Sequence, residues 1–201
     1  MVSAAIEDHV SHLFGTSIEL HVGVADCLAQ QIAKAGQRLA QGLLSDKKIL
    51  ICGNGASSAT CLHFTSALIH HFEVERPPLP VIALNTDHAV ITAIAKEGGF
   101  AELFAKQVQA LGQEGDSLIV LTTSGNNDSL LKAVDAANDR GMDTIALSGR
   151  DGGILANHLG PEDIEIRVPS DNDARIREIH LFVLHCFCDL IDQLLFGQLG
   201  E

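Results

Sequence analysis

The chain is poor in aromatic and in basic residues. It has 201 residues with no tryptophan and no tyrosine, and only 4% of it is aromatic, so aliphatic side chains must form the core. Such a composition suits an α/β protein. There are 13 basic residues against 26 acidic ones, for a formal net charge of -13. Because a surface of this sign repels a phosphate backbone, we expect no direct binding of nucleic acid, whereas a basic protein partner is compatible with it.

The sequence also lacks the usual signs of a membrane or exported protein. We expect no apolar run to be long enough to cross a membrane, and the first residues, Met1–Asp8, are acidic and unlike a signal peptide. The five cysteines are odd in number, contain no Cys-x-x-Cys pair and lie in apolar segments. Reduced, buried thiols in a cytoplasmic protein are the simplest interpretation.

Apolar runs alternate with helical patterns from residue 48 onwards, which predicts an α/β fold with a parallel sheet. The predicted strands are 48–52, 81–84, 117–122, 143–148 and 164–168. The predicted helices are 57–72, 85–94, 100–111, 128–140 and 173–196. The fifth strand is more polar than the others, so we expect it near an edge of the sheet.

Residues 1–45 precede this alternating core, which spans residues 46–201. We expect the two segments to form one compact unit. Apolar residues recur there at helical spacing, and two helices with a break near 23–26 are predicted. Helices in this position either pack on a neighbouring subunit or flank the sheet. The closing helix is apolar nearly all round, which also predicts burial against a second subunit.

Two of the predicted strands end in the same kind of turn. The first strand runs into Gly53-Asn54-Gly55-Ala56-Ser57, and the third runs into Thr122-Thr123-Ser124-Gly125-Asn126. Glycines, hydroxyl groups and a helix N-terminus together suit a phosphate monoester. Either turn alone could be glycine-rich for steric reasons, but the pair is more specific. No Gly-x-x-x-x-Gly-Lys motif occurs, so hydrolysis of a nucleoside triphosphate is not expected.

These segments resemble the SIS (sugar isomerase) domain family, essentially from end to end. The resemblance is carried by the two turns, by Asp151-Gly152-Gly153, by Asp163–Pro169 and by Arg175–His180. It implies an SIS-type three-layer sandwich with a five-stranded parallel sheet, a homotetramer with sites between subunits, and a phosphorylated sugar as ligand. The ligand-binding residues it implies are Asn54, Gly55, Ala56, Ser57, Thr122, Thr123, Ser124, Asn127 and Arg177.

The sugar isomerases of this family place a His, a Glu, a Gln and a second His where this chain has His63, Ala67, Arg177 and His185. Isomerisation needs a base that moves a proton between adjacent carbons, and Ala67 cannot be that base. Zinc in such an isomerase would use the same four positions, of which only His63 and His185 can still ligate a metal here. We therefore expect no cofactor, with zinc on this remnant pair as the alternative. Lining or interface roles for both histidines stay open, as do ion-pair and phosphate-binding roles for Arg177.

Two functional classes follow from the resemblance. The favoured one is a catalytically silent sugar-phosphate-binding tetramer that acts as an adaptor on the replication initiator DnaA, since several segments resemble the initiator-associating branch of the family. The alternative is a phosphoheptose isomerase that acts on sedoheptulose 7-phosphate, and some of the same segments occur in isomerases of related bacteria. For the adaptor, Leu195 and Phe196 at the end of the closing helix are the predicted partner contact. The alternative for Phe196 is packing under a neighbouring subunit.

Overall fold

The computed structural model describes residues 3–197 and contains a five-stranded, fully parallel sheet in the order β2-β1-β3-β4-β5. The strands are β1 (Ile49–Gly53), β2 (Val81–Ala83), β3 (Ser117–Leu121), β4 (Asp143–Gly149) and β5 (Ile164–Val168). The helices are α1 (Ala4–Leu44), α2 (Ala56–Ile69), α3 (His88–Glu97), α4 (Leu103–Leu111), α5 (Asp128–Asp139), α6 (Leu155–His158) and α7 (Asp173–Phe196). A single 3-10 turn, Phe100–Glu102, precedes α4. The predicted α/β sandwich is confirmed.

The sheet lies between two apolar layers because its central strands are buried on both faces. Every residue of β1 and β3 is buried. Ile49 and Ile51 face a core built with α1, α2 and α7, whereas Leu50 and Cys52 face a second core built with α4 and α5. As predicted, β5 is an edge strand, and its two outward residues are only partly buried.

The N-terminal segment differs from its prediction. It is one helix of 41 residues, about 60 Å long, and has no break near residues 23–26. Gly23 lies inside the helix with open space around it, and a glycine costs a helix only about 1 kcal/mol, whereas no proline occurs in this segment to stop it. Val24, within the expected break, and Leu28, just after it, are buried against the core, so tertiary packing carries the helix through.

The closing helix has the predicted bounds. Asn172 caps its start by accepting hydrogen bonds from the N–H groups of Ala174 and Arg175, and Gly197 ends it in a left-handed conformation at φ 69°. Contrary to the sequence-based expectation, α7 is long and apolar enough to cross a membrane. Its residues Ile176, Val183 and Phe187 are fully buried in the sheet's first core, which is the behaviour of a core helix in a folded domain.

The strand order places the two glycine turns side by side. The chain leaves β1 towards β2 on one side and returns to β3 on the other side of β1, so strand order reverses between β1 and β3. In open parallel sheets, ligands bind at the carboxyl ends of strands at such a reversal. The turns that follow β1 and β3 meet there, and helices α2 and α5 begin from them.

Candidate functional site

A cleft of about 230 Å³ opens where these two turns meet. It is lined by all of the residues that the sequence predicted for ligand binding, together with Leu121. The lining residues are Asn54, Gly55, Ala56, Ser57, Leu121, Thr122, Thr123, Ser124, Asn127 and Arg177. We call this cleft the cradle. The structure therefore brings the predicted ligand-binding set together, and whether it holds a ligand stays a prediction.

The first turn owes its shape to close packing behind it. A Cβ on Gly53 would lie 2.9 Å from the Cβ of Ser57 and 3.1 Å from the carbonyl oxygen of Leu121, so a larger residue would push β1 away from β3. Gly55, at φ 58°, is the N-cap of α2, and no side chain caps that helix. The N–H groups of Ser57 and Ser58 donate to the carbonyl oxygens of Asn54 and Gly55 at 3.1 and 3.0 Å. The start of α2 lines the cradle, and the positive end of its helix dipole suits an anion there.

The second turn is organised by the Thr122 side chain. Its hydroxyl donates to Asn127 Oδ1 at 3.0 Å and accepts from the N–H groups of Ser124 and Gly125 at 3.3 and 3.0 Å. Thr122 is buried, whereas Thr123 and Ser124 are partly exposed at the cradle. The hydroxyl of Thr122 thus shapes the turn, and the hydroxyls of Thr123 and Ser124 are better placed to reach a ligand.

A further contact fixes the second turn against the loop after β4. Gly125 is at φ 67°, and a Cβ there would lie 1.8 Å from the carbonyl oxygen of Gly152. Its own carbonyl accepts from the N–H of Leu155, at the start of the short helix α6 that the sequence did not predict. Across the cradle, Asn54 Nδ2 donates to Ser129 Oγ at 2.9 Å, which ties the first turn to α5.

One cation lines the cradle. Arg177 Nη2 is 3.2 Å from Asp173 Oδ2, one turn earlier on α7, and Arg150 Nη2 is 3.0 Å from the other oxygen of the same carboxylate. The hydrogen bond from Arg150 is the largest cause that lowers the pKa of Asp173, with Thr123 and the charge of Arg177 contributing. Asp173 therefore stays ionised and holds Arg177 at the cleft.

The predicted histidine pair is also brought together. His63 Nε2 and His185 Nε2 are 2.9 Å apart, across the seam between α2 and α7. The Phe72 ring packs against His185, with 5.3 Å between centroids. Burial, followed by the charge of His63, lowers the pKa of His185, which favours its neutral form.

Ala67 lies one turn beyond His63, and its side chain belongs to the sheet's first core. Its carbonyl oxygen accepts from Arg76 Nη2 at 3.0 Å, and Arg76 also pairs with Asp192 at 2.6 Å. No carboxylate occupies this position. Within residues 3–197, no three His, Cys, Asp or Glu side chains come together as a metal-binding group. Zinc prefers four ligands, so a pair of histidines beside an alanine and an arginine does not fit it.

Of the two residues at the end of α7 that were predicted to contact a partner, only one is exposed. Leu195 packs against the first core, whereas Phe196 is 36% exposed. Leu199, the other apolar residue of this tail, lies outside the described residues. The predicted contact at Leu195 and Phe196 stays a prediction.

Sequence reasoning missed two residues that shape the site. Asp173 was taken only as the start of α7, although its spacing of four residues from Arg177 is the helical spacing of an ion pair. Phe72, which packs on His185, was predicted as the last residue of a helix over 57–72, but α2 ends at Ile69 and Phe72 lies in the irregular segment after it.

Comparison with known proteins identifies the family. A family model described as the SIS domain matches residues 3–149. The phosphoheptose isomerase of Halorhodospira halophila is 51% identical over 96% of this chain and 98% of its own length. A solved phosphoheptose isomerase from Francisella tularensis is 49% identical with a TM-score of 0.90, covering 92% of this chain and 97% of that one. Another from Neisseria gonorrhoeae is 39% identical with a TM-score of 0.88, covering 94% and 99%.

These relatives correct the favoured functional interpretation of the sequence. A catalytically silent adaptor of replication initiation was inferred from Ala67 and from segments that resemble the initiator-associating branch, yet proteins 48–51% identical over nearly the whole chain are phosphoheptose isomerases. The same relatives do not support the inference that isomerase activity is lost, because that inference weighed a few changed side chains above similarity along the whole chain. The chain belongs to the SIS domain family, and the relatives that match it nearly end to end are phosphoheptose isomerases.

Proposed function

We propose that the protein is an aldose–ketose isomerase that acts on a phosphorylated heptose, converting sedoheptulose 7-phosphate to D-glycero-D-manno-heptose 7-phosphate. The observation that carries this proposal is the near-full-length similarity to phosphoheptose isomerases, combined with a cradle in which the predicted ligand-binding residues meet. The five cysteines were predicted to be buried, but only Cys52, Cys61 and Cys188 are, whereas Cys27 is exposed and Cys186 is half-buried. All five are free thiols, which together with the acidic chain suits a cytoplasmic enzyme.

The phosphate group is the part of the substrate for which the cradle is built. The hydroxyls of Ser57, Thr123 and Ser124 offer hydrogen-bond donors without a fixed charge of their own. A dianionic phosphate gains from these donors and from the positive end of the α2 helix dipole. The net charge of -13 on the chain makes these local donors necessary, since the surface as a whole repels an anion.

The reacting carbons are then placed along the seam between α2 and α7. His63 is six residues after Ser57 on α2, which is about 9 Å at the rise of an α-helix. A sugar chain of several carbons, with its phosphate at Ser57, is long enough to span this axial separation.

The pair His63–His185 is our candidate for the acid–base group. Isomerisation removes a proton from the carbon next to the carbonyl and returns a proton to the former carbonyl carbon, through an enediol. Two imidazoles at hydrogen-bond distance can accept one proton and share it, which supplies the function that Ala67 cannot. Phe72 shields one side of His185 from water.

The direct test is an isomerase assay of the purified full chain with sedoheptulose 7-phosphate, followed by anomeric proton signals or by exchange of the substrate proton with deuterated water. We expect turnover that is absent from a double His63→Gln, His185→Gln variant. No turnover by the wild-type protein, measured both with and without added zinc, would contradict the proposal.

We further propose that the working form is a homotetramer. The first half of α1 exposes an apolar stripe at helical spacing, formed by Ile6, Val10, Leu13, Phe14, Ile18 and Val22. An apolar groove of about 700 Å³ runs between α1 and α7 and reaches His185. A second copy of the chain offers matching apolar helices for both surfaces. Light scattering at micromolar concentration tests this, and a monomer would contradict it.

A further inference from the structure

Arg177 is the feature of the cradle that the proposed reaction leaves unexplained. One edge of its guanidinium is held by Asp173, while its Nε is buried and has no hydrogen-bond partner within the described residues. A buried donor without a partner is destabilising, so a ligand atom that accepts from it would be favoured.

A complementary acceptor lies one turn further along α7. His180 is 1% exposed, and its Nε2 is 2.9 Å from the carbonyl oxygen of Ser148. Burial lowers its pKa to about 4, and the charge of Arg177 contributes. Neutral His180 therefore donates from Nε2, which leaves Nδ1 as an acceptor that is also buried and unpartnered in the described chain. Arg177 Nε and His180 Nδ1 are thus a buried donor and a buried acceptor three residues apart on α7. Of these two side chains only that of Arg177 lines the cradle, where an oxygen atom of a sugar can accept from it.

The same position argues against a metal ion. The family pattern places a neutral glutamine where Arg177 stands, as part of a zinc-binding set. In this chain the guanidinium brings a fixed positive charge that repels Zn²⁺, and Ala67 removes a second ligand. The two remaining candidate ligands, His63 and His185, are hydrogen-bonded to each other.

We propose that Arg177 binds a hydroxyl or carbonyl oxygen of the sugar in the cradle, in place of the metal ion that the family pattern implies. This inference rests on the proposed function for the identity of the ligand. It makes Arg177 a substrate-contacting residue that recognises the sugar rather than the phosphate, and it predicts that binding needs no zinc.

Calorimetric titration in EDTA tests the inference on the full chain. We compare sedoheptulose 7-phosphate with inorganic phosphate, for the wild type and for Arg177→Gln. The expected result is an affinity for the sugar phosphate that falls at least about tenfold, the scale of a hydrogen bond to a charged group, while that for inorganic phosphate changes by less than about threefold.

Arg150→Gln is the matched control, because Arg150 bonds to the same Asp173 carboxylate but does not line the cradle. It should leave both affinities within about twofold. An equal loss for both ligands in Arg177→Gln would make Arg177 a phosphate contact and overturn the inference. Unchanged affinities in that variant, or no binding of sedoheptulose 7-phosphate by the wild type, would overturn it as well.

Metal content gives a second readout that does not depend on turnover. We expect substoichiometric zinc in wild-type protein after gel filtration with excess zinc. The double variant Ala67→Glu, Arg177→Gln restores two ligands beside His63 and His185 and should retain zinc. Stoichiometric zinc in the wild type, with loss of sugar affinity in EDTA, would overturn the inference and leave the proposed isomerase intact. Failure of the isomerase assay would contradict the proposed function. The inference that Arg177 binds the sugar is judged separately, by the binding measurements.

Discussion

The two ends of the candidate site are built differently. At the phosphate end, the turns after β1 and β3 are fixed by backbone contacts and by the hydrogen bonds of Thr122 and Asn54. At the proposed reaction end, the groups are side chains of two helices, and the contacts between them are the His63–His185 pair and the packing of Phe72.

This difference explains why the two ends tolerate substitution differently. The phosphate end depends on backbone geometry, where a single added Cβ meets a carbonyl oxygen at 1.8 Å. The reaction end depends on side-chain identity, so Ala67 and Arg177 can replace other residues without moving the helices that carry them. The chain accordingly has the fold of its relatives, whereas Ala67 and Arg177 depart from the pattern that the family resemblance implies.

The largest effect should come from the histidine pair. His185→Gln, and separately His63→Gln, should lower kcat by about 10²–10⁴-fold, because each variant removes a positioned acid–base group. Sugar phosphate affinity should change by less than about threefold, since the phosphate contacts lie at the other end of the site.

His158→Gln is the control for this prediction, because His158 pairs with Asp135 away from the cradle and should leave activity unchanged. If His63→Gln and His185→Gln both keep the wild-type kcat, the acid–base group lies elsewhere. The contrast between the two ends of the candidate site would then be wrong.

The second test breaks the backbone of the phosphate end. Gly125→Ala places a Cβ 1.8 Å from the carbonyl oxygen of Gly152 at a φ of 67°, so we expect the free energy of unfolding to fall by about 4 kcal/mol. Gly197→Ala is the matched control, since Gly197 has a similar φ of 69° in the left-handed region but open space around the added Cβ. Its cost should be about 1 kcal/mol.

Chemical denaturation of both variants separates the clash from the backbone strain. Equal losses of stability would show that the contact between Gly125 and Gly152 does not restrict the second turn.

The third test concerns His180, which lies between the two ends. Its pKa is about 4 in the folded chain, against an ordinary value of 6.5 for a solvated histidine, so between these values the unfolded chain binds more protons. Stability should therefore fall as pH drops from 6.5 towards 4, by about 3 kcal/mol from this group, and change no further below that range on its account.

His180→Gln removes this titration and should flatten the pH dependence of the denaturation midpoint between pH 6.5 and 4. Arg177 and the Glu165–Arg167 pair next to Ser148 are the charged groups nearest to His180, and they remain in the variant. An unchanged slope would mean that His180 is not held neutral by burial.

The sequence predicted the sheet and the cradle well, and the reasons are physical. The buried strands β1 and β3 are continuous apolar runs, and the glycine and hydroxyl residues that follow them have few other uses in that order. Once the strands are parallel, their carboxyl ends must lie at one edge, so the meeting of the two turns follows from topology.

The parts that sequence could not predict depend on contacts between distant segments. The continuity of α1 through Gly23 is decided by packing against the core, and the bond between Asn54 and Ser129 depends on the register of α5 against β1. The error about function has a different origin. Ala67 does remove the expected base, but a single position says nothing about the pair that His63 forms with His185.

The smallest effect we predict sharpens the contrast within the second turn. Ser124 and Thr122 both carry hydroxyls at the cradle, but that of Thr122 makes three hydrogen bonds to its own turn, whereas Ser124 Oγ accepts one long hydrogen bond of 3.4 Å from the N–H of Asn126. Ser124→Ala should therefore weaken sugar phosphate binding by about 1–2 kcal/mol, the scale of one hydrogen bond to a charged group. It should leave the free energy of unfolding within about 0.5 kcal/mol of wild type.

Thr122→Val, of similar shape, should show the reverse pattern, because it leaves the N–H groups of Ser124 and Gly125 without their acceptor. Thermal denaturation measures the stability of each variant, and titration with sedoheptulose 7-phosphate measures binding. If Ser124→Ala lowers stability as much as Thr122→Val does, the hydroxyl of Ser124 supports the turn rather than a ligand. The division of the phosphate end into a supporting hydroxyl and a binding hydroxyl would then be wrong.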